Sequence, residues 1–303
     1  MKNKVVVIGC GNVGMSYVYA LLNQRTSVGE LVLIDLDTKR VEGEVMDLNH
    51  CLAFAPSKID IKVGTYQDCS DAKIVVIAAG ANQAPGESRM DLIHKNSKIF
   101  KDIVGKVVAS GFDGIFVVAT NPLDIMTYLT WKYSLFDASR VIGSGTSLDT
   151  SRLRYLVGDR LGIGPKNIHA YVIGEHGDSE FVAWSSATVG LQNIKEYLGV
   201  NELEQISEEV KNAAYEIIDR KGATCYGIGM CLVSITNAIL GDENTIITVS
   251  SYNKENNIFI GMPTVINSNG VKYVMNLDLN DKEENDFKNS VQVIKEAIEK
   301  IED

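Results

Sequence analysis

Three polar residues in two separate segments could together transfer a proton and bind an anion. His176 lies between glycines in residues 174–178, directly after an apolar segment, which is a poor place for a core side chain. An imidazole titrates near about pH 6.5 when unperturbed, so it can give a proton to a carbonyl oxygen and take it back. Asp149 and Arg152 are three residues apart and would share one face of a helix. Asp149 could orient His176 while the two-pronged guanidinium of Arg152 grips a carboxylate. The alternatives are a loop histidine and a surface ion pair.

Two loops that follow apolar segments carry further polar side chains that could act on a carbonyl substrate. Residues 80–89 contain a Pro-Gly pair among small residues, which suits a mobile lid. Arg89 could arrive when such a lid closes and polarise the carbonyl, or it could be a solvated loop arginine. Asn121 precedes Pro122 in the second loop and could hydrogen-bond both a substrate oxygen and a nicotinamide. The sequence leaves open whether the bond between Asn121 and Pro122 is cis.

A glycine-rich segment near the N-terminus has the pattern of a dinucleotide-binding turn. It reads Gly9-Cys10-Gly11-Asn12-Val13-Gly14. Gly9 allows a tight turn, Gly11 lets the backbone approach a pyrophosphate, and Gly14 lets the following helix pack closely with phosphates at its N-terminus. Asp35 comes about 20 residues later, where a carboxylate accepts ribose hydroxyls and repels a 2′-phosphate. The pattern favours NAD over NADP, the alternative being a glycine turn with a surface aspartate.

The first half of the chain predicts the framework that brings these segments together. Short, almost continuously apolar runs alternate there with helical patterns, which is typical of a parallel sheet covered on both faces. Ligands bind beyond the carboxyl ends of such strands, so the lid loop would border the site. The predicted strands are 4–8, 31–34, 59–63, 74–79, 115–119 and 141–143, and the predicted helices are 13–24, 41–53, 96–110 and 123–133.

The second half has a different pattern, with long helices and antiparallel strands joined by Asn/Gly turns. The predicted fold class is therefore α/β, a Rossmann-type doubly wound parallel sheet followed by an α+β substrate or catalytic domain. The boundary near Gly143 rests on the change of pattern alone. The predicted helices are 148–161, 202–221, 223–240 and 281–301, and the predicted strands are 170–173, 246–252, 258–265 and 271–274.

The composition limits the classes of partner. The 303 residues carry a formal net charge of -10, which gives no support to a nucleic-acid or anionic-membrane partner. No apolar run is long enough for a signal peptide or a membrane span. The 5 cysteines are odd in number and form no CxxC pair, which favours free thiols in a reducing compartment over a zinc site. We expect a cytoplasmic protein without a metal.

Over essentially its full length the chain resembles the L-lactate dehydrogenases of the lactate/malate dehydrogenase superfamily. The resemblance implies an NAD-binding domain over 1–143 and a catalytic substrate domain over 144–303. It also implies an oxidoreductase of glycolysis and fermentation that transfers a hydride between NADH and pyruvate. Besides the glycine turn, the motifs that carry the resemblance are residues 79–89 (AGANQAPGESR), 119–122 (ATNP), 148–152 (LDTSR), 173–179 (IGEHGDS) and 221–224 (KGAT).

The resemblance assigns a role to each site residue. His176 would be the general acid/base, and Asp149 would orient it and stabilise the imidazolium. Arg152 would bind the substrate carboxylate, while Arg89 would polarise the carbonyl from the lid. Asn121 would support both substrate and cofactor.

The pocket and cofactor residues complete this set. Thr224 would border the pocket, and Ile228, one helical turn later, would press on the nicotinamide unless it only packs within its helix. The expected NAD-binding residues are Gly9, Gly11, Asn12, Val13, Gly14, Asp35, Gly80, Ala81, Asn121 and Ile228.

Gln83 in the lid discriminates between substrates within the superfamily. The resemblance implies that lactate dehydrogenases carry glutamine here, facing the substrate side chain, whereas malate dehydrogenases carry arginine. A neutral side chain offers a second carboxylate no charge partner, and burying that carboxylate unpaired is costly. Gln83 therefore favours pyruvate over oxaloacetate. A larger 2-oxo acid, as used by hydroxyisocaproate dehydrogenases, stays an alternative.

Two residues outside the catalytic segments suggest regulation and assembly. Arg154 and His169 match positions that bind the phosphates of fructose 1,6-bisphosphate across a subunit interface in bacterial lactate dehydrogenases. The resemblance therefore implies a homotetramer with this bisphosphate as an allosteric activator, the alternative being two ordinary surface residues. Rival classes for the whole chain are an NAD-dependent glycosidase, which would need a metal site, and a non-catalytic NAD-binding protein.

Overall fold

The computed structural model describes residues 3–81, 86 and 89–302. In its first half, strands β1–β6 form a parallel sheet in the order β3-β2-β1-β4-β5-β6, as expected for two mononucleotide-binding halves. The successive elements are β1 (Asn3–Ile8), α1 (Asn12–Leu22), β2 (Val28–Ile34), α2 (Thr38–Cys51), β3 (Asp60–Val63), β4 (Ile74–Ile77), α3 (Arg89–Ala109), β5 (Ile115–Val118), α4 (Leu123–Ser134) and β6 (Val141–Gly143).

The second half contains the remaining helices and a set of antiparallel strands. Its short strands form two small sheets, β11-β10-β7 and β8-β9. The elements are α5 (Ser147–Leu161), β7 (Ile168–His169), β8 (Val172–Ile173), β9 (Phe181–Val182), β10 (Thr188–Val189), β11 (Gln192–Asn193), α6 (Val200–Lys221), α7 (Tyr226–Leu240), β12 (Thr245–Asn253), β13 (Ile258–Asn267), β14 (Gly270–Val274) and α8 (Asp281–Glu302).

One sheet runs through both halves. Ser250 of β12 pairs with Gly143 of β6 in antiparallel register, and β13 and β14 continue the sheet outward. The result is a nine-stranded mixed sheet in the order β14-β13-β12-β6-β5-β4-β1-β2-β3. This architecture confirms the predicted α/β class. The sequence pattern predicted the hairpin strands but not their junction with β6, since strand alternation carries no information about which edge a strand joins.

Several element bounds differ from the predicted ones. Helix α3 begins at Arg89, well before the predicted residue 96, so Arg89 belongs to a helix and not only to a loop. Only 172–173 of the predicted strand 170–173 form a strand, β8, and β7 just before it was not predicted and lies in a different sheet. Strands β9, β10 and β11 were not predicted, because two residues are too few to show the alternation of a half-buried strand.

Helices from both halves cover both faces of the large sheet. One core contains Val6 and Ile8 of β1 together with Phe100 of α3 and Ile294 of α8. On the other face, the Tyr17 hydroxyl of α1 lies 2.7 Å from the Thr236 hydroxyl of α7, inside a second core. The two halves are therefore packed as one body around the strand ends that carry the site. Within the described residues, no helix is long and apolar enough to cross a membrane.

Candidate active site

His176, Asp149 and Arg152 lie together in the structure. His176 follows β8, and Gly174 just before it has a φ of 98° and bridges to Gly261 of β13. Asp149 and Arg152 lie near the start of α5. The Asp149 Oδ2 atom is 2.8 Å from His176 Nδ1, and Arg152 Nη1 donates a hydrogen bond of 2.7 Å to Asp149 Oδ1. One carboxylate therefore joins the imidazole to the guanidinium.

The electrostatics of this cluster favour a protonated imidazole. Burial alone would raise the pKa of Asp149, but the charges and hydrogen bonds of His176 and Arg152 outweigh burial and hold it below its ordinary value. Burial alone would lower the pKa of His176, but the Asp149 carboxylate raises it well above its ordinary value. The His176 side chain is 26% exposed, so the ring is accessible while its Nδ1 faces the buried carboxylate. The cluster can present an acidic proton on Nε2.

Thr224 lies beside Arg152, and Ile228 lies in the first turn of α7. The Arg152 Nη2 atom lies 3.5 Å from the Thr224 hydroxyl, which precedes α7. The Arg152 side chain is only 12% exposed, so an anion that reaches its guanidinium is largely removed from water. Ile228 is half-buried against the core between α1 and α7. The structure thus brings Arg152 and Thr224 together near the start of α5.

The glycine turn has the shape that a bound pyrophosphate requires. A side chain at Gly14 would overlap the Gly9 carbonyl, whereas one at Gly11 would meet nothing within 4 Å. Helix α1 begins at Asn12, followed by Val13, and no described side chain caps it. The first backbone N–H groups of α1 therefore face open space, and a phosphate can accept hydrogen bonds from them.

Asp35 lies beside this turn at the end of β2. Its Oδ2 atom accepts a 2.6 Å hydrogen bond from the Cys10 backbone N–H, and its Oδ1 atom accepts one of 3.0 Å from the Asp37 N–H. The carboxylate is thus fixed next to the glycine turn, on the side where an adenosine ribose would extend. It still has lone pairs for ribose hydroxyls, because an ionised carboxylate accepts about four hydrogen bonds.

A buried asparagine that the sequence analysis missed links two predicted cofactor loops. The Asn96 Oδ1 atom accepts a 2.8 Å hydrogen bond from the Ala81 backbone N–H, and its Nδ2 donates to the Asn121 carbonyl at 3.0 Å. Asn121 is exposed, the bond between Asn121 and Pro122 is cis, and Gly80 lies next to Ala81. An asparagine inside a polar-faced helix gave no signal of this role, since such residues usually face solvent.

Part of the predicted lid is not described. Gln83 lies outside the described residues, so the choice of substrate that depends on it stays a prediction. Arg89 is the first residue of α3. The role of both residues stays a prediction from the sequence.

Two carboxyl groups beside His176 were also missed. Asp124 is 2% exposed, and its Oδ2 accepts a 2.7 Å hydrogen bond from the His176 backbone N–H. Glu180 has an Oε2 atom 3.8 Å from His176 Nδ1, and burial together with the Asp149 charge raises the pKa of Glu180 to about 7. Asp149, His176 and Glu180 also have ligand atoms within 4.8 Å of one another, close enough to share an ion. Asp149 already binds Arg152 and His176, so the cluster is suited to holding a proton.

Arg154 of α5 and His169 of β7 both lie next to Ala170. The Arg154 Nε atom donates a 3.2 Å hydrogen bond to the Ala170 carbonyl, and its guanidinium lies 5.2 Å from the centre of the Tyr171 ring. His169 is exposed on β7, next to Ala170 in sequence. Both predicted residues therefore lie beside Ala170.

Comparison with known proteins gives a consistent family. The model of the lactate/malate dehydrogenase NAD-binding domain matches residues 3–143, and that of the lactate/malate dehydrogenase alpha/beta C-terminal domain matches residues 146–303. The chain is 50% identical to L-lactate dehydrogenase 2 of Bacillus cereus strain ZK / E33L, over 98% of this chain and 97% of the relative. It is 52% identical to an L-lactate dehydrogenase of Geobacillus sp. strain WCH70, over 99% and 97%.

Solved structures agree with these sequence relatives. A lactate dehydrogenase from a Medee basin deep-sea metagenome library superposes with a TM-score of 0.97 at 49% identity, covering 100% of both chains. The minor L-lactate dehydrogenase of Enterococcus mundtii, in its ligand-bound form, superposes with a TM-score of 0.96 at 46% identity, covering 99% of this chain and 98% of that one. The whole chain, and not only the nucleotide-binding half, is shared with these proteins.

Proposed function

Because the chain belongs to the lactate/malate dehydrogenase family, we propose that it transfers a hydride reversibly between NADH and pyruvate and so forms L-lactate and NAD+. It is an NAD-dependent oxidoreductase, and its curated relatives with about half of their residues identical are named L-lactate dehydrogenases. The observation that carries the proposal is the contact of one buried carboxylate, Asp149, with both His176 and Arg152. This arrangement supplies a proton donor and an anion receptor side by side.

The cofactor would be held by the turn after β1. The glycines leave space in front of the α1 N-terminus for the pyrophosphate, and Asp35 is placed for the ribose. Gly80, Ala81 and Asn121 would border the nicotinamide, with Ile228 behind it. When bound, NADH supplies the hydride that reduces the substrate carbon.

The protein's own groups handle the charge and the proton. Arg152 binds the substrate carboxylate with two parallel hydrogen bonds, which fixes the position of the adjacent carbonyl. His176 gives its Nε2 proton to the carbonyl oxygen during reduction and keeps its Nδ1 proton, which is hydrogen-bonded to Asp149. Asp149 stabilises the imidazolium before transfer, and in lactate oxidation it supports His176 when the ring takes the proton back. Arg89 would polarise the carbonyl from the lid.

The nearest rival substrate is oxaloacetate. We favour pyruvate because Gln83 offers a second carboxylate no positive partner, and because the relatives above carry the lactate dehydrogenase name. A hydroxyisocaproate-type activity would need room for a longer side chain in the same lid. The initial rate of NADH oxidation with pyruvate, oxaloacetate and 2-oxoisocaproate at equal concentrations tests the choice. A higher rate with pyruvate is expected, and a higher rate with oxaloacetate would overturn the substrate assignment while leaving the hydride chemistry in place.

We also propose an activated homotetramer that works in the cytoplasm. Arg154 and His169 would bind the phosphates of fructose 1,6-bisphosphate where subunits meet, because Arg154 contacts Ala170 and the exposed His169 adjoins it. The bisphosphate should lower the KM for pyruvate. Replacing both residues with alanine should remove this effect without changing the rate at saturating pyruvate. Sedimentation of the wild type at several protein concentrations measures the assembly. Activation that survives in the double variant would reject the bisphosphate site. Free thiols at all five cysteines fit a reducing compartment.

A further inference from the structure

The backbone of His176 is anchored by a carboxylate that the proposed reaction does not use. Asp124 lies in the first turn of α4, three residues after Asn121, and so belongs to the nucleotide-binding half. Its Oδ2 accepts the His176 N–H at 2.7 Å, and its Oδ1 accepts a hydrogen bond from the Ser250 hydroxyl on β12. A single buried side chain therefore connects the cofactor-side loop, the histidine loop and the strand that joins the two halves of the sheet.

The Asp124 carboxylate is buried, and its hydrogen bonds favour the charged form. Burial raises the pKa of Asp124 to about 6, and the hydrogen bonds from Ser250 and the His176 N–H together with the imidazolium charge oppose this rise. The position of Asp124 in the first turn of α4 puts the negative charge near the positive end of the helix dipole. A hydrogen bond from an N–H to a buried anion is among the stronger kinds in proteins.

The histidine loop needs such an anchor. Glycines stand two residues before His176 and directly after it, and glycine gives the backbone little conformational preference of its own. Asp149 holds the ring only at Nδ1, so the ring could still tilt about that contact and move Nε2. The hydrogen bond from the His176 backbone N–H to Asp124 adds a second fixed point, so that His176 is held both at its ring and at its backbone.

We infer that Asp124 is a positioning residue that fixes the histidine loop relative to the cofactor-side loop at Asn121, so that the His176 Nε2 atom meets the substrate carbonyl. This inference rests on the function proposed above. It predicts that loss of the anchor lowers turnover while NADH binding stays intact, because the glycine turn and Asp35 do not contact Asp124. Hydride transfer should also become the slow step, since it depends on the acid being in place.

Two substitutions test the anchor at different strengths. Asp124→Ala removes the acceptor, and Asp124→Asn keeps an oxygen for the His176 N–H but removes the charge. From the usual strength of hydrogen bonds to charged groups, we expect kcat to fall about 100-fold in the first and about 10-fold in the second. The dissociation constant of NADH, measured by its fluorescence, should stay within about twofold of wild type. NADH deuterated at the transferred position should show a larger isotope effect on kcat in both variants.

A matched control separates positioning from loss of stability. Thr127→Val removes a buried hydroxyl that donates a hydrogen bond to the Leu123 carbonyl in the same helix and leaves both hydrogen bonds of the Asp124 carboxylate in place. It should lower the melting temperature and leave kcat within about twofold of wild type. A kcat within about threefold of wild type in the Asp124→Asn and Asp124→Ala proteins would overturn the inference, and Asp124→Asn decides alone if the alanine protein does not fold. A wild-type protein that fails to reduce pyruvate would instead reject the proposed function.

Discussion

The glycine turn at residues 9–14 and the His176 cluster form the two sides of the proposed site, and they depend on contacts of different range. The turn is shaped by its own backbone and by Asp35, whose bond to Cys10 spans 25 positions. In the cluster, the bond from His176 to Asp149 spans 27 positions, that from His176 to Asp124 spans 52, and that from Ser250 to Asp124 spans 126. The part of the cofactor site that would hold the pyrophosphate can therefore be carried by one short segment, whereas the acid–base site exists only when both halves of the sheet are assembled.

Replacing the imidazole should have the largest effect on turnover. It should disable the acid–base side of the site and leave cofactor binding unchanged. His176→Ala removes the proton donor, so kcat for pyruvate reduction should fall by about 10³-fold or more. NADH binding should not change, because no described contact joins His176 to the glycine turn. Stopped-flow turnover and NADH fluorescence titration measure the two quantities. His50→Ala, at an exposed position of α2, is the control and should behave as wild type. Turnover close to wild type in His176→Ala would remove the residue from this role.

Removing the charge beside the imidazole should move the pH dependence. The Asp149 carboxylate raises the pKa of His176, so Asp149→Asn should lower that pKa. Pyruvate reduction needs the protonated ring, and its rate falls as pH rises through this pKa. In the variant, that fall should begin at a lower pH, and the rate at neutral pH should drop by about 100-fold.

The control for this profile is an aspartate in a solvated ion pair. Asp102→Asn breaks an exposed contact with Lys106 on α3 and should leave the pH profile of kcat in place. A profile that does not move in Asp149→Asn would contradict the electrostatic role of Asp149. The His176 cluster would then act without its buried carboxylate, and its contrast with the glycine turn would be weaker.

The same difference in range explains what the sequence could predict. The glycine turn, the parallel strands and the α/β class follow from local pattern, because periodicity and turn chemistry are properties of short windows. His176, Asp149 and Arg152 could be proposed from residue type, and their contact needed the resemblance or the structure. Nothing in the sequence pattern indicated that Asp124 or Asn96 belongs to the site. Each is one polar residue at the core-facing side of a helix, and only tertiary packing shows that its partner is a distant backbone group.

Two glycine substitutions give the smallest expected effects on turnover and test the local side of the comparison. A methyl group at Gly14 would overlap the Gly9 carbonyl, so Gly14→Ala should force the α1 backbone away from β1 and lower the melting temperature. By the usual cost of overpacking, the free energy of unfolding should fall by about 1–3 kcal/mol. Gly11→Ala adds its methyl group to open space, so its melting temperature should match wild type.

In NADH titrations the order of the two variants should reverse, with Gly11→Ala more affected than Gly14→Ala. At Gly11 the added methyl group occupies the space through which the pyrophosphate approaches the α1 N-terminus, so the KM for NADH should rise about 10-fold with kcat at saturation little changed. Both variants keep the His176 cluster, so neither should shift the pH profile. Thermal unfolding and NADH saturation curves of the two proteins, measured side by side, give the result. If Gly11→Ala binds NADH as wild type does, the turn holds the phosphates less closely than its shape implies, and the cofactor side depends on more distant residues just as the acid–base side does.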